Sequence, residues 1–220
     1  MPEGTIVLDE SCVELGEALG AVYPVYNFRR RDGFLQTHPD VAADELRDAL
    51  VSRCVAAPYV LVAASFGGFM ALAYASRYLS SLKGLVLVDS SHPEQSVASL
   101  AAIPASEPAS PALECFKRYV HGFGPLWAES CASISTITQL GAVPLIVLAA
   151  GKPDLPAELS ERTQRALTAS WHELQRRHAA LSMRGELRIV PGAGHNIVAT
   201  VPEAILAAVT ELSARSLEQG

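Results

Sequence analysis

Four polar side chains stand where apolar runs stop. Ser65 follows YVLVAA and leads straight into FGGFMALAY, a run with helical spacing. Asp89 closes LKGLVLVD, Asp154 follows PLIVLAAGKP, and His195 lies in the glycine turn PGAGHNIV. A hydroxyl, a carboxylate and an imidazole are together the means of nucleophilic catalysis. A free serine hydroxyl is a poor nucleophile, and an imidazole near neutral pKa can take its proton as attack proceeds. A carboxylate on the other ring nitrogen fixes the tautomer and steadies the imidazolium. General-base help of this kind is worth about 10²–10⁴ in rate. It requires no metal and no cofactor. The plainer reading of Ser65 is a serine that caps a helix.

These residues matter together only if the fold brings them together. Near-continuous apolar runs predict strands at Thr5–Leu8, Val22–Phe28, Tyr59–Ala64, Leu82–Asp89, Leu145–Ala150 and Leu187–Val190, each covered on both faces. Helical periodicity predicts helices near Val13–Leu19, Val41–Cys54, Phe66–Tyr78, Leu159–Leu181 and Pro202–Ser216. Alternation of this kind implies an α/β fold with a mostly parallel sheet of about six strands and helices on both faces. Right-handed crossovers then put every strand's carboxyl end, and all four polar residues, on one rim. The abrupt change from strand to helix at Ser65 forces a strained backbone, with small residues required two before and two after; Ala63 and Gly67 stand there. Residues 92–141, with a proline- and serine-rich centre at Ile103–Pro111, are too long for an ordinary loop and read as a helical cap inserted in one domain spanning 1–220.

Composition narrows the function classes. A chain of 220 residues, half of them hydrophobic and 18% charged, suits one folded domain with a full core. A net charge of -6 offers no basic face for nucleic acid. Nor does any stretch approach the roughly 20 apolar residues of a membrane span. MPEGTIVLDES has neither the charged nor the apolar part of a secretory signal, so a cytoplasmic location is expected. Cys12, Cys54, Cys115 and Cys131 lie far apart, as reduced thiols would; Cys54 reads as a small buried hydrophobe. Arginine-rich, alanine-rich usage hints at a GC-rich bacterial genome.

The segments VLVAASFGGFMALAYASRY, LKGLVLVDSSHPEQ, PLIVLAAGKPD, WHELQRRHAALS and VPGAGHNIVATVPEAI together resemble the bacterial alpha/beta-hydrolase superfamily. Ala-x-Ser-x-Gly at 63–67 resembles its nucleophile elbow, and serine, acid, histidine is its chain order. The resemblance makes Ser65 the nucleophile, His195 the base and Asp154 the preferred acid, with Asp89 the alternative. It implies one oxyanion donor in the amide of Phe66, aided by the helix dipole. Ser11 or Cys12 would give a second amide. It also implies that the fold's two leading antiparallel strands are missing. Asp9 and Glu10 stand where the family carries His-Gly or a glycine-rich turn, and would oppose an oxyanion. The implied activity is cleavage of an ester or thioester of a small to medium hydrophobic substrate, free or carrier-bound. The alternative is a lyase on the same site, such as one eliminating acetate from an acetylated tetronate in polyketide natural-product biosynthesis; a non-catalytic binding protein is third. Among other residues, His92 reads as a turn residue or a substrate contact. Arg29 or Arg30 reads as a solvated arginine or a binder of a carboxylate or phosphopantetheine. His38, His121, His172 and His178 are expected on solvated faces. Phe116, Tyr119, Phe123 and Trp127 are expected to give the cap an apolar face.

Overall fold

The computed structural model describes residues 4–121, 124 and 126–215; Phe123 and Ser216 lie outside them. Six strands form one sheet: β1 Thr5–Leu8, β2 Val25–Asn27, β3 Tyr59–Ala64, β4 Leu82–Val88, β5 Leu145–Ala150 and β6 Gly185–Val190. Their order is β2-β1-β3-β4-β5-β6, and every neighbouring pair is parallel. The inner strands β3 and β5 are apolar and buried throughout because both faces are covered, whereas the edge strands β2 and β6, expected to be covered on both faces, are largely half-buried or exposed because each has a neighbour on one side only. Along β3, Tyr59, Leu61 and Ala63 enter one hydrophobic cluster while Val60, Val62 and Ala64 enter the other. A pleated strand sends successive side chains to opposite faces, so a strand covered on both faces needs apolar residues at every position.

Between the strands lie α1 Gly16–Gly20, α2 Pro39–Ser52, α3 Gly67–Tyr78, α4 Gln95–Ala102, α5 Pro111–His121, α6 Trp127–Ser135 and α7 Glu161–Ala180, and after β6 come α8 Ile197–Thr200 and α9 Pro202–Ala214. Leu46 and Leu50 of α2 and Phe69 and Leu72 of α3 fill one face. Ile205, Ala208, Val209 and Leu212 of α9 fill the other, with Cys12 and Leu15 of a 3-10 turn, Glu10–Leu15, that precedes α1. The helix expected at Val13–Leu19 is thus split into that turn and α1. The strand expected over Val22–Phe28 shortens to β2, whose register starts with Val25 beside Ile6. Cys54 is a correction: it is exposed, at φ 53° just beyond α2. No helix among the described residues is long and apolar enough to cross a membrane.

Residues 92–141 hold α4, α5 and α6. Leu113, Phe116 and Val120 of α5 bury with Leu159 and Leu167 in a small separate cluster, and Tyr119 is exposed. Trp127 of α6 stacks on Phe69 at 5.5 Å and lies 6.0 Å from Phe66. Glu107, between α4 and α5, accepts from the backbone and hydroxyl of Ser160 and from Thr163 at the start of α7, which ties the segment to the sheet domain. These acceptor roles hold its carboxyl below the usual carboxylate range, the Ser160 hydroxyl contributing most.

Candidate active site

Strand β3 hands over to α3 through two residues, Ser65 and Phe66. Ser65 takes φ 52°, in the left-handed region that L-residues enter only at a cost of about 1–3 kcal/mol. Its backbone is tied on both sides: its N–H donates to Val88 C=O at 3.0 Å, and its C=O accepts from Gly68 and Ser91 at 3.1 and 3.0 Å. The two glycines that follow are spaces. A Cβ on Gly67 would lie 2.2 Å from Asp9 Oδ1, and one on Gly68 would lie 2.4 Å from Ser90 Oγ. The elbow is therefore wedged between the chain leaving β1 and the chain leaving β4.

Across the rim, Ser65 Oγ lies 3.1 Å from His195 Nε2. The other ring nitrogen, Nδ1, is 2.7 Å from Asp89 Oδ2. An ionised carboxylate only accepts, so Nδ1 carries the proton and Nε2 is left to accept from the serine. This corrects the expected choice of acid. Asp154 does not meet the ring: its Oδ2 accepts from the backbone N–H of His195 at 3.0 Å, and its carboxylate packs where a Cβ on Gly194 would stand. Asp89 reaches the ring because it turns the chain at φ 42° directly after β4. The same carboxylate's Oδ1 accepts from Ala150 N–H at 2.8 Å and Trp171 Nε1 at 2.7 Å. His195's pKa is raised above its ordinary 6.5, chiefly by the hydrogen bond to Asp89, against the desolvation that would lower it. The fields of Asp89 and Asp154 add to the rise.

The second oxyanion donor is also corrected. Ser11 N–H is taken by Asp9 Oδ1 at 3.1 Å, and Cys12 N–H by Asp9 C=O at 2.8 Å. The Cys12 thiol is fully buried, which pushes its pKa up. Ser11 Oγ instead accepts from Ala64 N–H at 3.0 Å while donating to Asp9 at 2.5 Å, lacing the turn to β3. Among the described residues, no acceptor takes the N–H of Phe66 or of Glu10.

Sequence reasoning missed what becomes of the two acids in that turn. Arg30 is buried, within 2.9 Å of Asp9 Oδ2 and 2.5 Å of Glu10 Oε1, with its guanidinium 4.6 Å from the Phe34 ring centroid. It is neither solvated nor open to a substrate; Arg29 and Arg31 remain exposed. Burial raises the Asp9 pKa and Arg30 works against that rise. His92 is a turn residue: its Nδ1 accepts from Glu94 N–H at 3.1 Å and its ring lies 4.7 Å from that of His178. His178 and His172 depart from the expected solvated faces, because both lie where α7 packs on the strand exits. His178 is buried with Nε2 at 2.9 Å from Ser91 C=O, and His172 Nε2 is 2.8 Å from Ala150 C=O. His38 caps α2, and His121 is exposed. Among the described residues no group of His, Cys, Asp and Glu has the geometry of a metal site.

The family described as "Alpha/beta hydrolase family" matches residues 10–208. No curated protein matches. Among solved structures, the chain is similar to a thermophilic esterase from Thermogutta terrifontis, at 17% identity and TM-score 0.58 over 95% of this chain and 89% of that one. It is similar to a marine microorganism esterase at 15% identity and TM-score 0.59, over 96% and 95% of the two chains. It is similar to a bromoperoxidase from Bacillus anthracis at 14% identity and TM-score 0.58, over 95% and 91%. At these identities the likeness is one of fold.

Proposed function

The chain belongs to the alpha/beta hydrolase family, and from that premise we propose that it is a serine hydrolase acting through Ser65, His195 and Asp89 on an ester or thioester. The observation that carries this reading is the unbroken chain of contacts from Ser65 Oγ through the imidazole to Asp89, at 3.1 and 2.7 Å. His195 Nε2 takes the serine proton as Oγ bonds to the carbonyl carbon, while Asp89 steadies the imidazolium. The oxyanion is received by the Phe66 N–H at the start of α3, with the Glu10 N–H as second donor. Imidazolium then protonates the leaving alcohol or thiol, and water repeats the sequence on the acyl-serine. Phe34, Phe66 and Trp127 form an aromatic cluster beside the elbow, which suits a hydrophobic acyl or alcohol part.

One observation favours a second reading. The turn facing the elbow carries Asp9 and Glu10 where the family carries His-Gly or a glycine-rich turn. Such a turn suits a lyase in which His195 removes a proton α to a carbonyl and a β-carboxylate departs with the bonding pair, with no acyl-serine formed.

Fluorophosphonate labelling read by mass spectrometry separates the two. The hydrolase reading expects stoichiometric modification of Ser65, lost in His195→Ala. Absence of labelling, together with elimination from a β-acyloxy carbonyl substrate that survives Ser65→Ala, would overturn it in favour of the lyase.

A further inference from the structure

The helix packed behind Asp89 has no part in the chemistry above, yet its sequence is organised around that acid. In WHELQRRH, three side chains at spacing i, i+4, i+7 share one face of α7. Each donates to the next residue of the chain leaving β4. Trp171 Nε1 donates to Asp89 Oδ1 at 2.7 Å, Gln175 Nε2 to Ser90 C=O at 2.7 Å, and His178 Nε2 to Ser91 C=O at 2.9 Å. His172, beside Trp171, meets the C=O of Ala150, whose own N–H donates to Asp89 Oδ1. One helix face thus grips the exits of β4 and β5 together. Gln175 and His178 are buried and Trp171 is half-buried. An acid placed directly after β4 at φ 42° has this rail to hold it there.

We propose that Trp171 is a positioning residue whose indole N–H sets how strongly the Asp89 carboxylate holds the proton of His195. The proposal rests on the Ser65–His195–Asp89 reading. Two donors on Oδ1 draw negative charge away from Oδ2, the oxygen facing His195. With the indole N–H removed, Ala150 N–H still orients the carboxylate, Oδ2 becomes more basic, and the imidazolium is held more tightly. Among the described residues, the ionisable groups facing this pair are Asp154 on the His195 loop and His172 on the Ala150 carbonyl, and neither is held by a contact to the indole.

The test uses the full chain with Trp171→Phe, which keeps an aromatic ring and deletes the donor. Trp171→Leu is a second variant without the N–H. The His195 ring titration is followed by NMR, and the rate of Ser65 fluorophosphonate labelling is followed against pH. The expected result is a His195 midpoint raised by about half a unit, an effect the size of one net hydrogen bond. Labelling below that midpoint should slow about threefold, with the alkaline plateau unchanged within about twofold. A midpoint that is unchanged or lowered in both variants overturns the proposal. The NMR reading needs no turnover, so a parent protein whose Ser65 does not label refutes the hydrolase reading and leaves the Trp171 question still decided by the titration.

Discussion

His195 is flanked by two carboxylates that touch different parts of it, and this difference predicts unequal losses. Asp89 holds the ring through Nδ1, whereas Asp154 holds only the backbone N–H. Asp89→Asn places an amide against Nδ1 and favours the wrong tautomer, a change that costs about 10⁴ in kcat in a serine protease triad. Asp154→Asn keeps an oxygen that can accept from the His195 backbone, so kcat/KM on a p-nitrophenyl ester should fall less than about threefold, a change of under roughly 0.7 kcal/mol. Equal losses in the two variants would refute this division. The same contacts fix the pH response. The base must be neutral, and its pKa is raised, so the acid limb of kcat/KM should have its midpoint above 6.5 and move down in Asp89→Asn. Sequence order could not separate the two acids, since each stands just beyond a neighbouring strand. The choice depends on Asp89 adopting a positive φ and on a helix more than eighty residues away in the chain reaching back to it. One signal was present, the W-x-x-x-Q-x-x-H spacing, which places three hydrogen-bonding side chains on a helix face that an ordinary core helix would keep apolar.

At the scale of elements, the inner strands were legible because burial on both faces leaves a run with few polar interruptions, and the elbow was legible because its glycines answer to steric need. What replaces the glycine turn after β1 was not. Asp9 and Glu10 read as charges opposing an oxyanion, but a residue beyond β2 is ion-paired with both, and the parallel pairing of β1 with β2 brings Arg30 there. The turn and the elbow are consequently one packed unit. Gly67→Ala would drive its Cβ to 2.2 Å from Asp9 Oδ1, and that carboxylate cannot retreat while Arg30 and Ser11 hold it. Unfolding in urea should show a loss of about 1–3 kcal/mol for Gly67→Ala, the usual cost of overpacking. Ser65 labelling should fall in parallel. Gly20→Ala, in α1 with nothing within 4 Å of the added carbon, is the control and should be neutral or slightly stabilising. If Gly67→Ala matches Gly20→Ala in both measurements, the elbow is not wedged against the turn.

Across the whole molecule, His92 and His178 on one side and His195 on the other have opposite effects on stability. Burial lowers the pKa of His92 to about 4 and of His178 to about 3, the latter helped by its neighbour His92. His195 is raised. For a histidine depressed on folding, the unfolded chain binds more protons between the folded pKa and about 6.5, so stability falls as pH drops through that window. For His195 the sign is reversed: its stabilising contribution is complete below about 6.5 and fades as pH rises through its higher folded value. Acidification from pH 7 to 4.5 therefore costs the fold through His178 and His92, at about 1.36 kcal/mol for each unit below 6.5 and so roughly 2–3 kcal/mol per group. The cost falls on the rail itself, since His178 holds Ser91, two residues from Asp89. His178→Gln supplies a side-chain N–H for the same carbonyl without a group that titrates. It should lower stability somewhat at pH 7 and flatten the dependence on pH by about half between 7 and 4.5, as read from urea midpoints. A variant whose midpoint falls as steeply as the parent's would place the acid sensitivity elsewhere, as in the Glu107 clip, whose carboxyl is held low.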